Sequence, residues 1–188
     1  MKANTIPTAV PIVLLALLCI TAASGCTGKP STPAFAYMPD RLIRDISDMQ
    51  EDETVARVWV RRGFELNACR SIAIEPVLDS SQRKQPEAVR VIEQGLQGIF
   101  RDRARETGTL SVSVRTALLD VKPEPGRIRA WFADIDDFAY IELELLICDT
   151  QTGMPLLKLI HFRRDKKTLA GALDSILEDL RVFFSRSV

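Results

Sequence analysis

The chain has 188 residues, of which 46% are hydrophobic and 27% are charged, with 25 basic against 25 acidic side chains. A chain of this length forms one domain, with or without a removable segment, and its core needs no metal or disulfide framework. Because a nucleic-acid binder needs a surplus of basic residues to neutralise phosphates, the balanced charge argues against that class of partner.

The N-terminus has the three-part pattern of a secretory signal peptide. One charged side chain, Lys2, precedes an apolar run over residues 10–20, and small residues follow at 21–25. A membrane-spanning helix needs about 20 apolar residues, so this run is too short to span a bilayer, and Pro11 interrupts it. The pattern predicts that residues 1–25 are removed during export.

The last residues of this leader, with the cysteine that follows them, resemble the lipobox of bacterial lipoproteins: Ala23-Ser24-Gly25-Cys26. In that class, diacylglycerol is attached to the thiol, the chain is cut before the cysteine, and the new amino group is acylated. Ala23 stands where the class usually has Leu. The resemblance implies that Cys26 is the lipidated first residue of the mature protein, held stably because several acyl chains enter the bilayer. The alternatives are an ordinary secreted protein cut near Ala23 or Gly25, and a retained signal anchor.

The residues after Cys26 predict where the protein is anchored and how its domain is attached. Thr27 follows Cys26 instead of Asp, and resemblance to Gram-negative lipoproteins then implies the outer membrane, facing the periplasm. Residues 29–39 contain three prolines among small polar residues, which is typical of an extended linker. The predicted organisation is a signal peptide, a linker and a single α/β domain, over residues 1–25, 26–39 and 40–188.

Hydrophobic periodicity predicts two long amphipathic helices. The first begins at Pro86 and runs to about residue 106, with Gly108 as a natural stop. The second begins after Thr168 as its N-cap. A short helix is also predicted over residues 40–48. The expected buried stripes of the two long helices are Val89, Ile92, Leu96, Ile99 and Phe100 in the first, and Leu169, Leu173, Ile176, Leu177, Leu180 and Phe184 in the second.

Alternating or β-branched stretches predict the strands, and residues 54–60 are expected to be an edge strand or an extended arm. The firmer strands are expected over residues 69–77, 110–118, 139–148 and 155–162. These elements predict an α/β fold of the α+β two-layer type, in the order β-α-β-β-β-α. The sheet is expected to be mostly antiparallel, with both helices packed on one face and a parallel, right-handed first crossover.

Several local strings resemble those of a group of uncharacterised bacterial lipoproteins that carry a small α/β domain of unknown function. The resemblance covers residues 59–162 and implies the fold, but the group has no assigned activity to carry over. The strings are Trp59-Val60-Arg61 with Gly63, the segment SIAIEPV at 71–77, and the segment IELEL at 141–145 followed by Asp149 and Thr152-Gly153.

Cys69 and Cys148 are the two cysteines expected in the folded domain, since Cys19 lies in the leader and Cys26 carries lipid. In an oxidising envelope compartment the two could form a disulfide. The alternative is that both are small buried hydrophobic residues. Their spacing fits neither a metal site nor a C-x-x-C redox pair.

Residues 121–138 are the most unusual segment, because they are long for a strand connection and rich in large apolar residues. One interpretation is that they fold over the open end of the sandwich. The other is that Trp131 and Phe132 line a groove for a partner protein or a lipid. Trp59 is a further candidate contact residue, unless it covers the edge of the core.

No catalytic or metal-binding motif is visible in the sequence. His161 is the only histidine, which excludes a multi-histidine zinc site and leaves one residue for acid–base chemistry. The carboxylates within residues 134–137 lack the spacing of a calcium loop. We therefore expect a protein without cofactor, metal or enzymatic activity, unless a cleft gathers His161 with acidic residues.

The leading functional hypothesis is a lipid-anchored envelope protein that binds another envelope component. The binding surface is expected to be the open face of the sheet or the segment 121–138. The alternative is a carrier or transport accessory that shelters an apolar molecule between sheet and helices. These hypotheses differ in one structural requirement, because a carrier needs an internal cavity and a docking protein does not.

Overall fold

The structure is a computed structural model that describes residues 41–123, 138–165 and 168–186. The stretches in which apolar and polar residues alternate form the central strands of a six-stranded mixed sheet. The elements in chain order are β1 (Arg57–Val60), a 3-10 helix (Leu66–Ala68), β2 (Cys69–Ile74), β3 (Leu78–Asp79), α1 (Pro86–Phe100), β4 (Leu110–Lys122), β5 (Ala139–Asp149), β6 (Pro155–Asp165) and α2 (Leu169–Arg186).

The sheet has the order β1-β6-β5-β4-β2, with β3 paired to β4 beside this path. The pairs β1–β6, β5–β6 and β4–β5 are antiparallel, whereas β2 and β3 run parallel to β4. The parallel pair β2–β4 is joined through α1, as a crossover connection requires. The predicted α/β class and its mostly antiparallel sheet are confirmed. Two strands add to the predicted order: β1, which was expected as an edge strand or an arm, and β3.

Both helices pack on one face of the sheet, which we call the inner face. The apolar spacing of each helix places a single stripe against the strands, close to the predicted stripes. Val89 and Leu169 are half-buried instead of buried, and Ala88, Ala172 and Phe183 join the core. The inner face of the sheet contributes Val112, Val114, Leu118, Ile141, Leu143, Leu145, Ile147, Leu157 and Leu159.

The prediction of a helix over residues 40–48 is wrong, because residues 41–48 are irregular and end in a turn. The backbone N–H groups of Leu42 and Ile43 donate to the carboxylate of Glu144 on β5. In a helix that began at residue 40 these two first-turn amides would have no intrahelical acceptor. Glu144 supplies a distant one, so tertiary contacts override the local preference. We call residues 41–50 the N-terminal arm. Its last residue, Gln50, forms an antiparallel bridge with Val58 of β1.

Helix α1 ends at Phe100, several residues before the predicted end, and Gly108 has a different role from the expected helix stop. A Cβ at Gly108 would lie 2.4 Å from the carbonyl carbon of Cys69. The amide of Arg105 donates to the oxygen of Cys69 at 2.8 Å. The chain therefore leaves the helix early and crosses close to the start of β2, where only glycine fits.

Strand β4 extends beyond its predicted end because it contains a bulge. Its pairing with β5 passes from Leu118, opposite Leu143, to Asp120, opposite Glu142. Leu119 is therefore an extra residue without an opposite partner. The extra residue lets the strand continue to Lys122 while Val121 still faces the core.

Candidate functional site

The face of the sheet opposite to the helices, the outer face, carries aromatic and basic side chains at one end. Tyr140 on β5 stands opposite Lys122 on β4 and Arg164 on β6, so the register places these three residues in one row. Phe162 lies in the neighbouring row and is 44% exposed. We call the group Phe138, Tyr140, Phe162, Lys122 and Arg164 the aromatic patch.

The basic groups of the patch stack on its rings. The Arg164 guanidinium lies 4.7 Å from the Phe138 ring centroid and 5.7 Å from that of Tyr140. The Lys122 ammonium lies 4.9 Å from the Phe138 centroid, on which both cations converge. The rings of Tyr140 and Phe162 are 6.2 Å apart. These contacts hold large apolar side chains at the surface with fixed positive charge around them.

A hydrogen bond links the patch to acidic residues in the middle of the outer face. The Tyr140 hydroxyl donates to a Glu142 carboxylate oxygen at 2.7 Å. Burial, this hydrogen bond and the nearby negative charge all raise the pKa of Tyr140, so the phenol remains a neutral donor. The patch therefore presents aromatic rings and cations, and the neighbouring Glu142 carboxylate already accepts a hydrogen bond from Tyr140.

Glu144 alternates with the inward-facing Leu143 and Leu145 and therefore faces the outer side, yet it is fully buried beneath the N-terminal arm. One carboxylate oxygen accepts the amides of Leu42 at 2.9 Å and Ile43 at 3.2 Å. The other oxygen lies 3.3 Å from the Arg41 guanidinium. Desolvation raises the pKa of the Glu144 carboxyl above its ordinary value, although the two amides and Arg41 favour the ionised form.

Trp59 packs on the outer face with the N-terminal arm and not in the core between the helices and the sheet, and its role as a contact residue stays a prediction. It is half-buried on β1 and packs against a small apolar cluster of Ile43, Met49 and Ile160. The Lys158 ammonium lies 5.2 Å from its ring centroid. Trp59 therefore belongs to the contact between the arm and the sheet.

His161 joins three parts of the fold through its ring. The amide of Ala56 can only donate, so its 3.1 Å contact makes Nδ1 an acceptor. Nε2 then carries the proton and donates to Asp179 of α2 at 2.9 Å. Arg163 also donates to the same carboxylate. Desolvation lowers the pKa of His161 below its ordinary value of 6.5, against the effect of Asp179.

An open cleft of about 490 Å³ lies between β6 and α2 and is lined by Arg163, Arg164, Asp174, Ser175, Glu178 and Asp179. His161 is next to this cleft but its side chain is buried behind Asp179. Both ring nitrogens of His161 are already occupied, so neither is free to take a proton from a nucleophile. The contact between His161 and Asp179 therefore joins β6 to α2, and the carboxylates of Asp174, Glu178 and Asp179 line the cleft beside it.

Cys69 and Cys148 are buried free thiols. Cys69 begins β2 and Cys148 lies near the end of β5, with β4 between these strands. A disulfide needs Cα atoms less than about 7 Å apart, which two strands separated by a third do not provide. Burial raises the pKa of the Cys69 thiol to about 11 and also raises that of Cys148. The structure therefore agrees with the alternative of two small buried hydrophobic residues.

Three of the predicted site residues lie outside the described residues: Cys26, Trp131 and Phe132. The signal peptide and the linker also fall there, and all of these stay predictions. Within the described ranges, no three His, Cys, Asp or Glu side chains are grouped as a metal site would require. Neither described helix is long and apolar enough to cross a membrane.

The sequence interpretation missed the aromatic patch and the contacts of His161. Lys122 and Phe138 were assigned to one long connection, and Arg164 lay beyond the last predicted strand, which ended at residue 162. Their proximity depends on the register of three strands, for which the sequence has no local signal. Phe162, the large apolar residue that ends the predicted strand 155–162, was the one available indication.

Comparison with known proteins gives similarity to solved structures only. No protein-family model matches the chain, and no curated protein matches it. The chain is similar to the PelC dodecamer from Paraburkholderia phytofirmans at 13% identity, with a TM-score of 0.48 over 66% of this chain and 96% of that one.

Two further structures are similar at lower scores. One is lipoprotein GNA1162 from Neisseria meningitidis, at 11% identity and a TM-score of 0.35, covering 62% of this chain and 99% of that one. The other is the hypothetical protein CT253 from Chlamydia trachomatis, at 10% identity and a TM-score of 0.35, covering 61% and 98%. The solved structures similar to this chain thus include a lipoprotein and a hypothetical bacterial protein.

Proposed function

We propose that this protein is a non-enzymatic lipoprotein of the bacterial cell envelope, anchored through Cys26, which binds another envelope protein through the aromatic patch. The observation that carries the proposal is the exposure of Phe162 beside Tyr140, with Arg164 held over the neighbouring rings. Aromatic and arginine side chains are enriched where proteins bind each other. A partner protein surface that carries methionine thioethers, aromatic rings and charged groups would complement this patch.

The packing of the core favours a docking protein over the carrier alternative. Phe183 and Phe184 fill the space between the helices and the sheet and are almost completely buried. The Phe184 ring also lies edge-on against Phe100, with centroids 4.9 Å apart. A molecule sheltered at this place would have to displace these rings, whereas a partner at the exposed Phe162 leaves the packing of the core intact.

The anchoring part of the proposal rests on the signal-like leader and the lipobox resemblance. Cys26 follows small residues at the end of a short apolar run, and Thr27 favours delivery to the outer membrane. The domain would then face the periplasm at the end of a proline-containing linker. The described surface of the domain has mixed charge and would not by itself hold the protein at a membrane, so a lipid anchor at Cys26 would supply the attachment.

Photocrosslinking in cells tests the docking surface. A photoreactive residue at position 162 is expected to give a crosslinked product with a partner protein. The control is position 154, because Met154 is also exposed, at 51%, but lies at the other end of the sheet after β5. Equal products from both positions, or none from position 162, would contradict the aromatic patch as the docking surface.

Metabolic labelling tests the anchor separately. Cells grown with a palmitate analogue are expected to label the wild-type protein and not Cys26→Ser, because the thiol is the site of lipid attachment in the lipobox class. Cys148→Ser serves as the matched control, since this buried cysteine should not affect labelling. Equal labelling of wild type and Cys26→Ser would show that Cys26 is not lipidated.

A further inference from the structure

We infer that the N-terminal arm is a strap that opens from the outer face while the rest of the fold stays intact. The arm runs from Arg41, where the described chain begins, across β5 and β6 to Gln50 beside β1. It thereby covers the part of the outer face next to the aromatic patch. Its attachment differs from that of the other elements in three respects.

The apolar contacts of the arm form a separate cluster. Ile43 and Met49 pack with Ile160, and Leu42, Ile46 and Trp59 pack around them. None of these residues belongs to the core between the helices and the sheet. Because the sheet separates the two clusters, the smaller one can be lost without exposing the larger one.

Among the described residues, backbone–backbone hydrogen bonds join the arm to the sheet at Gln50. Gln50 and Val58 exchange two hydrogen bonds, of 2.9 and 2.8 Å. Strands β5 and β6, in contrast, are paired over almost their whole length, from Ala139–Asp165 to Cys148–Pro155. Opening of the arm would therefore break few ladder hydrogen bonds compared with opening of the sheet.

Polar side chains of the sheet hold the remainder of the arm. Glu144 accepts the Leu42 and Ile43 amides and pairs with Arg41. Lys158 pairs with Asp48 at 2.9 Å and donates to the backbone oxygen of Asp45 at 3.3 Å. Water can replace each of these contacts once the arm leaves, so opening costs less free energy than unfolding the core.

Opening would uncover Ile160 and the covered side of Trp59, together with the Glu144 carboxylate. Ile160 lies two residues before the exposed Phe162 on the same face of β6. The newly exposed surface would therefore continue the aromatic patch along the strand. An effect of opening on partner binding rests on the proposed function, whereas the opening itself does not.

Hydrogen exchange on the full chain in detergent, without a partner, tests the opening directly. The Leu42 and Ile43 amides are expected to exchange at least about tenfold faster than the Leu145 amide in the centre of β5. Glu144→Gln keeps the shape of the side chain but removes the charge. This variant is expected to raise the exchange rates of the Leu42 and Ile43 amides about tenfold above those in the wild type, and to leave the exchange rate of Leu145 unchanged.

Two further variants make the outcome decisive. Lys158→Met removes the other polar attachment and should also accelerate hydrogen exchange only in the arm. This variant replaces Glu144→Gln if Glu144→Gln does not fold. Ile147→Val weakens the core and should accelerate Leu145 but not Leu42 or Ile43. If wild-type arm amides exchange as slowly as Leu145, or Ile147→Val accelerates all three together, the arm unfolds only with the whole domain and the inference is wrong.

Discussion

Phe184→Ala is expected to lower the free energy of unfolding by about 3–5 kcal/mol, which is the usual result of truncating a buried phenylalanine. Phe184 is completely buried, and its ring lies edge-on to Phe100 and Phe183 at centroid distances of 4.9 and 5.1 Å. The substitution removes both ring contacts and leaves a cavity between the helices and the sheet. Equilibrium denaturation of the full chain in urea measures the loss.

Phe162→Ala is the matched control for this prediction. Because Phe162 is 44% exposed on the opposite face, its truncation should change stability by less than about 1 kcal/mol. The two variants together also test the carrier alternative. If Phe184→Ala were tolerated as well as Phe162→Ala, the helices would pack loosely enough on the sheet to admit an apolar ligand.

His161→Ala is expected to lower the free energy of unfolding by about 3 kcal/mol, since it creates a cavity and removes two buried hydrogen bonds. The Ala56 amide would lose its acceptor, and Asp179 would keep only its contact with Arg163. His161→Asn should recover part of the loss, because its amide oxygen can lie near the position of Nδ1. A loss as large for His161→Asn as for His161→Ala would indicate that the Ala56 contact contributes little.

The same histidine predicts a pH dependence with a definite sign. Burial lowers the pKa of folded His161 below 6.5, so the unfolded chain binds the proton more readily. The contribution of neutral His161 to the free energy of unfolding is fully present above about pH 6.5, and it declines as the pH falls towards the folded-state pKa. Denaturation at several pH values should show this decline in the wild type and a weaker one in His161→Asn.

The sequence predicted the elements whose stability depends on periodic burial. The stripes of α1 and α2 and the alternation of β4 and β5 each bury one face, and such repeats are readable without tertiary information. Thr168 is also an N-cap as expected, accepting the Gly171 amide at 3.0 Å. The fold class followed from these elements and their order.

Features that depend on distant residues were not predictable in the same way. The arm was assigned to a helix because Glu144, a hundred positions later, gave no local indication that it would accept the Leu42 and Ile43 amides. The role of His161 likewise depends on Ala56 and Asp179, which meet it only in the folded sheet. The aromatic patch needs three strands in register before its members are neighbours.

The bulge at Leu119 makes the length of β4 as important as its composition. Strict alternation from the inward-facing Leu118 would turn Lys122 towards the helices and Val121 towards solvent. The extra residue reverses this order, so that Val121 is buried and Lys122 stands beside Tyr140. Substitutions at position 119 can therefore preserve the surface that a one-residue deletion would destroy. At this bulge, an insertion or deletion changes the surface more than a different side chain at position 119 does.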